Sequence, residues 1–128
     1  ESSQAIAHEV IEGAARNRLI TRDVAHRRLE IRDVIDAGRI RLVDRNLEMY
    51  GSNDDVYTVV EGDPLSARIR CDRTTGLQRD GWHVRVETSS TLSADAERFH
   101  ATNVLDAYEG DTRVFTKTWH IQIPRRLV

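Results

Sequence analysis

Apolar and polar residues alternate along much of the second half of the chain. The alternation is clearest in residues 82–87, 98–108 and 113–123. A period of two places successive side chains on opposite faces of a β-strand, so each segment is predicted to be a half-buried strand. In the last two segments one face carries the apolar residues Phe99, Ala101, Leu105, Ala107, Phe115, Trp119, Ile121 and Ile123. We expect the last of these strands, which holds Trp119, to be central in its sheet.

A tight turn is predicted between the last two strands, at Glu109-Gly110-Asp111. Gly110 has no Cβ and adopts the positive φ that short hairpin turns require. Residues 98–123 are therefore predicted to form a β-hairpin with strands of about ten residues.

The middle of the chain predicts two further strands, at residues 56–60 and 65–71. Residues 61–64 between them are predicted to form a turn, because Pro64 disfavours the helical conformation of the residue before it. The polar stretch 52–55 is predicted to be a loop. The polar, glycine-containing stretch 72–80 is predicted to be a hairpin loop with some strand at its ends.

The first third of the chain has a less regular pattern. It favours strands at residues 5–11, 18–23, 27–34 and 39–43, with a turn at 36–38. Residues 5–28 also have apolar spacings compatible with a helix, so a helix in this region is the alternative. Taken together, residues 1–128 are predicted to form a single domain, an all-β antiparallel sandwich or flattened barrel of about eight to ten strands.

Composition narrows the class of protein. Only 39% of residues are hydrophobic and 31% are charged, as expected for a sheet with one wet face. The net charge of -2 argues against a general nucleic-acid binder, and no run of about 20 apolar residues predicts a membrane helix. Cys71 is the only cysteine, which excludes an intrachain disulfide and favours a reducing, cytoplasmic location.

Motifs for catalysis or metal binding are missing from the sequence. The nucleophile-elbow pattern G-x-S-x-G does not occur, and Ser66 is predicted to end a turn and begin a strand. No catalytic residue, metal ligand or cofactor site is therefore assigned. His83, His100 and His120 fall on the polar sides of strands. They form either a metal-binding or pH-sensing cluster or simply a solvent-facing set.

Two polar residues lie on strand faces that are otherwise apolar. Lys117 is in phase with Phe115 and Trp119, and Asn103 is in phase with Phe99. Either such residues line a ligand cavity, or the strand extends past the core and the lysine stacks on an aromatic ring; we favour the stacking. The candidate cavity residues are Trp82, Phe99, Asn103, Phe115, Lys117 and Trp119.

Two segments, residues 61–71 and 82–128, resemble a known family. They contain the stretches EGDPLSARIRC, WHVRVET, DAERFH, YEG and RVFTKTWHIQIPR. These resemble the C-terminal part of bacterial serine hydrolases of the X-prolyl dipeptidyl-peptidase and cocaine-esterase-like family. The match covers most of residues 56–128, whereas residues 1–55 match only loosely. The resemblance implies a C-terminal fragment of a larger hydrolase, a β-sandwich of jelly-roll type beside an α/β-hydrolase core that carries the Ser-His-Asp triad.

Three functional hypotheses follow. The first is a non-catalytic accessory domain that packs on the catalytic α/β-hydrolase domain of its parent chain or mediates dimerisation. The isolated chain would then be inactive and form a homodimer through strands within residues 5–34, without nucleic-acid or membrane partners. The second hypothesis is a free-standing, lipocalin-like barrel that binds a small molecule. The third is an independent enzyme built on such a barrel.

Overall fold

The computed structural model describes residues 6–126, which form eight β-strands and one short 3₁₀ helix, Val43–Arg45. The strands are β1 (His8–Glu12), β2 (Ala15–Asp23), β3 (Arg28–Leu42), β4 (Leu47–Val60), β5 (Asp63–Arg79), β6 (Trp82–Ala94), β7 (Arg98–Glu109) and β8 (Thr112–Pro124). Strand occupies 81% of the described chain.

All eight strands belong to one antiparallel sheet, in the order β1-β3-β4-β5-β6-β7-β8. β2 also pairs with β3, so β1 and β2 share one edge of that long strand. The described strands do not close into a barrel. The predicted all-β antiparallel class is confirmed, with a strand number inside the predicted range, and the open sheet is consistent with a sandwich or flattened barrel.

A β-bulge interrupts β3 where the sequence predicts a turn. Residues 37 and 38 stand opposite a single residue of β4, and Gly38 has φ +71°. The side chain of Asp36 accepts a hydrogen bond of 2.8 Å from the Gly38 amide. The predicted turn at 36–38 is therefore wrong, because the chain continues in the same direction. The extra residue shifts the alternation by one, which brings Ile40 to the face that carries Ile35.

Two predicted loops are also strand. Residues 52–55 lie inside β4, and residues 72–79 complete β5. The reversal into β6 occurs at Asp80-Gly81, where both residues have positive φ, as in the tightest hairpin turns. The hairpin at Gly110, with φ 57°, is confirmed.

The alternative of an N-terminal helix is wrong for the described part of residues 5–28, which forms β1 and β2 and their connections. Residue 5, the start of the first predicted strand, lies outside the described residues.

Candidate functional site

One face of the sheet is predominantly apolar. Paired residues of neighbouring strands point to the same side, so the register defines this face across the sheet. We call it the apolar face; its large apolar side chains are Val10, Ile20, Leu29, Ile31, Ile35, Ile40, Leu42, Leu47, Met49, Tyr57, Val59, Ile69, Leu77, Trp82, Val84, Val86, Leu92, Phe99, Leu105, Phe115, Trp119, Ile121 and Ile123.

Nothing in the described chain covers the apolar face. None of its large hydrophobic side chains is buried, and Phe115, Trp82 and Leu92 are 50%, 44% and 37% exposed. The main contacts between elements join hydrogen-bonded neighbours within the sheet, so no second layer packs on it. This exposure is unusual, because a soluble monomer rarely exposes an apolar patch larger than a few hundred Å².

The opposite face is charged and is lined with ion pairs. Arg41 contacts Glu48 at 2.9 Å, and Arg85 contacts Glu87 at 2.7 Å. The hydrogen bonds from Arg41 and then Arg39 hold the pKa of the Glu48 carboxyl below its usual value. Exposed pairs of this kind contribute little stability each, but they are typical of a surface that faces water. We call this the charged face.

A row of mostly polar residues crosses the middle of the apolar face. In register from β2 to β8, this central row consists of Arg18, Asp33, Asp55, Cys71, Ser90, Asn103 and Trp119. The carboxylate of Asp33 accepts hydrogen bonds from Arg16, one of 2.6 Å, and lies 3.9 Å from Arg18. The Arg16 hydrogen bond lowers the pKa of Asp33. At the β2 end of the row, the negative charge of Asp33 is therefore neutralised by Arg16 and Arg18.

In the middle of the central row, the Asp55 carboxylate is incompletely hydrogen-bonded within the described residues. Asp55 stands directly opposite Asp33, an unfavourable pairing of like charges. Its Oδ2 lies 3.7 Å from Arg73 Nη2, beyond hydrogen-bond distance, and its buried Oδ1 has no partner among the described residues. Burial, followed by the neighbouring Asp55 carboxylate, raises the pKa of the Cys71 thiol. A partner that supplied a hydrogen-bond donor would therefore stabilise Asp55.

The six candidate cavity residues share the apolar face but do not converge on one point. Trp82 begins β6, whereas Phe99 lies on β7 opposite Ala94, the last residue of β6. The two are therefore about 40 Å apart at roughly 3.3 Å per residue. Of the six, Phe99 alone lines the apolar groove of about 400 Å³ at one end of the face, together with Leu29, Tyr57, Leu92 and Arg125. The described strands also lack the closed barrel that the lipocalin-like hypothesis requires.

Lys117 stacks on an aromatic ring, as predicted, and that ring belongs to Trp119. Its ammonium nitrogen lies 4.9 Å from the centroid of the indole ring, two residues along the same strand face. The predicted central position of this strand is wrong, because β8 pairs with β7 alone and forms an edge of the sheet. Trp119 is only half-buried there.

Asp95 holds together the turn between β6 and β7 at the rim of the groove. Its side chain accepts hydrogen bonds from the amides of Glu97, at 2.8 Å, and Arg98, at 2.7 Å, and contacts His100 at 2.6 Å. Its carbonyl oxygen accepts a bond of 2.9 Å from Arg125, whose guanidinium lies over the Phe99 ring. These bonds fix the position of Phe99 and of the end of β8.

The Asp95 turn should make the free energy of unfolding depend on pH in the acidic range. The contact from His100, followed by the two amide bonds, lowers the pKa of Asp95 to about 2. Because this value lies below the unfolded value of about 3.9, its contribution is present above pH 4 and is lost as pH falls toward 2. Urea midpoints should show wild type more stable than Asp95→Asn at pH 5, with the difference shrinking toward pH 2. A constant difference would contradict the assignment, and Asp111→Asn, in the next hairpin turn, is the control.

The other sequence candidates have local structural partners. Ser66 donates to the Asp63 carbonyl at 2.6 Å and accepts from the Val60 amide at 2.7 Å, so it supports the turn between β4 and β5. It lies inside β5, which begins at Asp63, rather than at the predicted start of a strand. The three histidines lie on the charged face with different partners: Tyr50 for His83, Asp95 for His100 and Thr102 for His120. Within residues 6–126, no three metal-binding side chains are grouped to hold an ion.

Comparisons with protein-family models, curated proteins and solved structures found no match for the chain. Among the described residues, no helix has the length and apolarity needed to cross a membrane.

Proposed function

We propose that the chain is a non-catalytic accessory β domain of a serine ester or peptide hydrolase. In this proposal the apolar face packs against another folded unit, either the catalytic α/β-hydrolase domain of the parent polypeptide or a further copy. The sequence resemblance to X-prolyl dipeptidyl-peptidase and cocaine-esterase-like hydrolases supplies the class of parent enzyme. A cytoplasmic location belongs to the same proposal.

The uncovered apolar face is the observation that supports a packing role. The opposite face carries ion pairs along its length, which is typical of a surface in water. On the apolar face, ion pairs such as Arg16–Asp33 are few among the large hydrophobic side chains. Strands with one charged and one apolar face are typical of a sheet that is buried on one side. Interfaces between domains of one chain bury about 600–1,500 Å², a range that this face can supply.

The coding sequence around residue 1 tests the link to a hydrolase. If the proposal holds, the same reading frame continues upstream into an α/β-hydrolase domain with a G-x-S-x-G elbow. A frame that opens close to residue 1, or one that encodes an unrelated upstream domain, would contradict it.

We predict that the isolated chain does not turn over hydrolase substrates. Short-chain chromogenic esters and prolyl dipeptide anilides should hydrolyse at the buffer rate, because Ser66 is engaged by the backbone of its turn. Turnover that is abolished by a serine-reactive inhibitor and by Ser66→Ala would overturn the non-catalytic assignment.

A further inference from the structure

The described part of the chain has no buried hydrophobic core, because its apolar face is uncovered. We propose that a second copy of this chain covers it, so that two sheets pack face to face in a symmetric β-sandwich. The two-fold axis runs parallel to the strands, over the central strand β5. This inference rests on the proposed function only in that both treat the apolar face as a packing surface.

The size of the face is sufficient for a stable dimer. Seven strand positions spaced about 4.8 Å apart, with strands of roughly 40 Å, give a face of about 1,300 Å². A typical specific interface buries about 800 Å² on each partner. Homodimer interfaces are also more apolar than other protein surfaces, as this face is.

The proposed axis determines which strands meet. Rotation about a line over β5 places β5 on the partner's β5, β4 on the partner's β6 and β3 on the partner's β7. Strand directions are kept, in agreement with the aligned packing of β-sandwiches. Residues at the same level along the strands therefore face one another, so the central row lies on the central row of the other copy.

The central row is complementary to itself under this operation. The acidic residues lie on β3 and β4, whereas side chains that can donate hydrogen bonds lie on β6 and β7. Asp55, whose Oδ1 has no described partner, faces Ser90 of the other copy, and Asp33 faces the Asn103 amide. An axis perpendicular to the strands would instead stack Asp33 and Asp55 on their own copies, which like-charge repulsion disfavours.

Two rows flank the central row on this face. One carries the cations Arg16, Arg73 and Lys117. The other is apolar in every strand that it crosses and consists of Ile20, Ile31, Tyr57, Ile69, Leu92, Ala101 and Ile121. Under the same operation Tyr57 faces Leu92 and Ile20 faces Ile121, so apolar meets apolar along this row. In the cationic row, Arg73 on the axis strand faces Arg73 of the other copy. The association surface is thus the apolar face rather than the N-terminal strands alone.

Thiol protection in the wild-type chain is the first test. Cys71 lies on the axis strand, so its reaction with a maleimide should slow as protein concentration rises and a dimer appears by sedimentation. The matched control is the double variant Cys71→Ser and Asp72→Cys, which moves the thiol one residue along β5 to the charged face. Its labelling should not change with concentration.

A charge placed on the apolar face is the second test. Leu92→Lys should convert the dimer to a monomer, whereas Thr91→Lys, one residue away on the charged face, should leave the dimer intact. Because Tyr57 faces Leu92 of the other copy, adding Tyr57→Glu should restore the dimer. Adding Ile31→Glu instead should not restore it.

Each other outcome contradicts a definite part of the inference. A folded monomer that binds an apolar dye such as anilinonaphthalene sulfonate would exclude the second copy but leave packing on another domain intact. A folded monomer that binds no dye would overturn the proposed function as well. A dimer without Cys71 protection would place the interface elsewhere, and restoration by Ile31→Glu would contradict the axis. An unfolded wild-type chain would show that two copies do not suffice.

Discussion

Gly38→Ala should destabilise the chain by roughly 2–5 kcal/mol. Gly38 has φ +71°, and a Cβ at this position would overlap the carbonyl oxygen of Glu12 and lie 2.8 Å from the carbonyl carbon of Gly13. An unfavourable backbone conformation costs about 1–3 kcal/mol, and overpacking against atoms that cannot move costs a similar amount. Urea unfolding at a fixed protein concentration measures the loss, because the midpoint of an associating chain depends on concentration.

Substitutions at two other glycines separate the cost of the backbone conformation from the cost of overpacking. Gly81 has positive φ but open space around its would-be Cβ, so Gly81→Ala should cost only about 1–2 kcal/mol. Gly13 has neither constraint, so Gly13→Ala should change stability by no more than about 0.5 kcal/mol. Equal losses for Gly38→Ala and Gly81→Ala would show that the contact with the β1–β2 connection is unimportant.

Gly76→Ala should cost about 2–4 kcal/mol for a different reason. Gly76 lies under the ring of Tyr50, and a Cβ there would overlap the ring atoms. The ring is held in place by a hydrogen bond of 2.7 Å to His83 and by Arg39, 4.8 Å from its centroid. Moving the ring would therefore lose a hydrogen bond worth about 1 kcal/mol in addition to the cost of overpacking.

A double-mutant cycle tests this explanation. In a Tyr50→Ala background there is no ring to displace, so Gly76→Ala should be neutral or should stabilise β5 by about 0.5–1 kcal/mol. The same cost in both backgrounds would contradict the ring contact. Tyr50→Phe, which removes the hydroxyl alone, should cost only about 0.5–1.5 kcal/mol.

The alternating pattern predicts the strands well where one face is apolar and the other polar. The strands around Phe99 and Phe115 follow this rule, and the register confirms that they share a face. The rule fails for residues 52–55, which are polar on both faces. There Asp54 pairs with Arg32 on the charged face, whereas Asn53 and Asp55 contribute polar groups to the apolar face. Composition alone cannot distinguish such a strand from a loop.

Glycine signals are ambiguous in a similar way. A positive-φ glycine suits a hairpin turn and a bulge equally, so the sequence at Gly38 does not reveal whether the chain reverses. The Asp80-Gly81 pair, in contrast, is a strong hairpin signal that correctly marks the turn after β5. Because the turn lies there, β5 continues through Gly76, where the polar composition of residues 72–80 predicts a loop.

The candidate site could be predicted only in part. The alternation predicts the residues of the apolar face strand by strand, and the phase of Lys117 with two aromatic residues predicts that it stacks on an aromatic ring. An edge strand and a central strand have the same alternating pattern, however, so the position of β8 could not be deduced. The central row could not be deduced either, because it depends on the register of seven neighbouring strands.

The order of the strands has a consequence for how the molecule folds. Apart from the pairing of β1 with β3, each strand contacts mainly the strands that precede and follow it in the chain. The sheet therefore behaves as a one-dimensional series of hairpins, in which stability is close to a sum over adjacent pairs. Short loops keep the contact order low for an all-β protein, so ordering can begin at any hairpin and spread outward. Only the β1–β3 pairing requires a longer loop to close. That loop contains β2, so we expect β1 to pair after β2 has paired with β3.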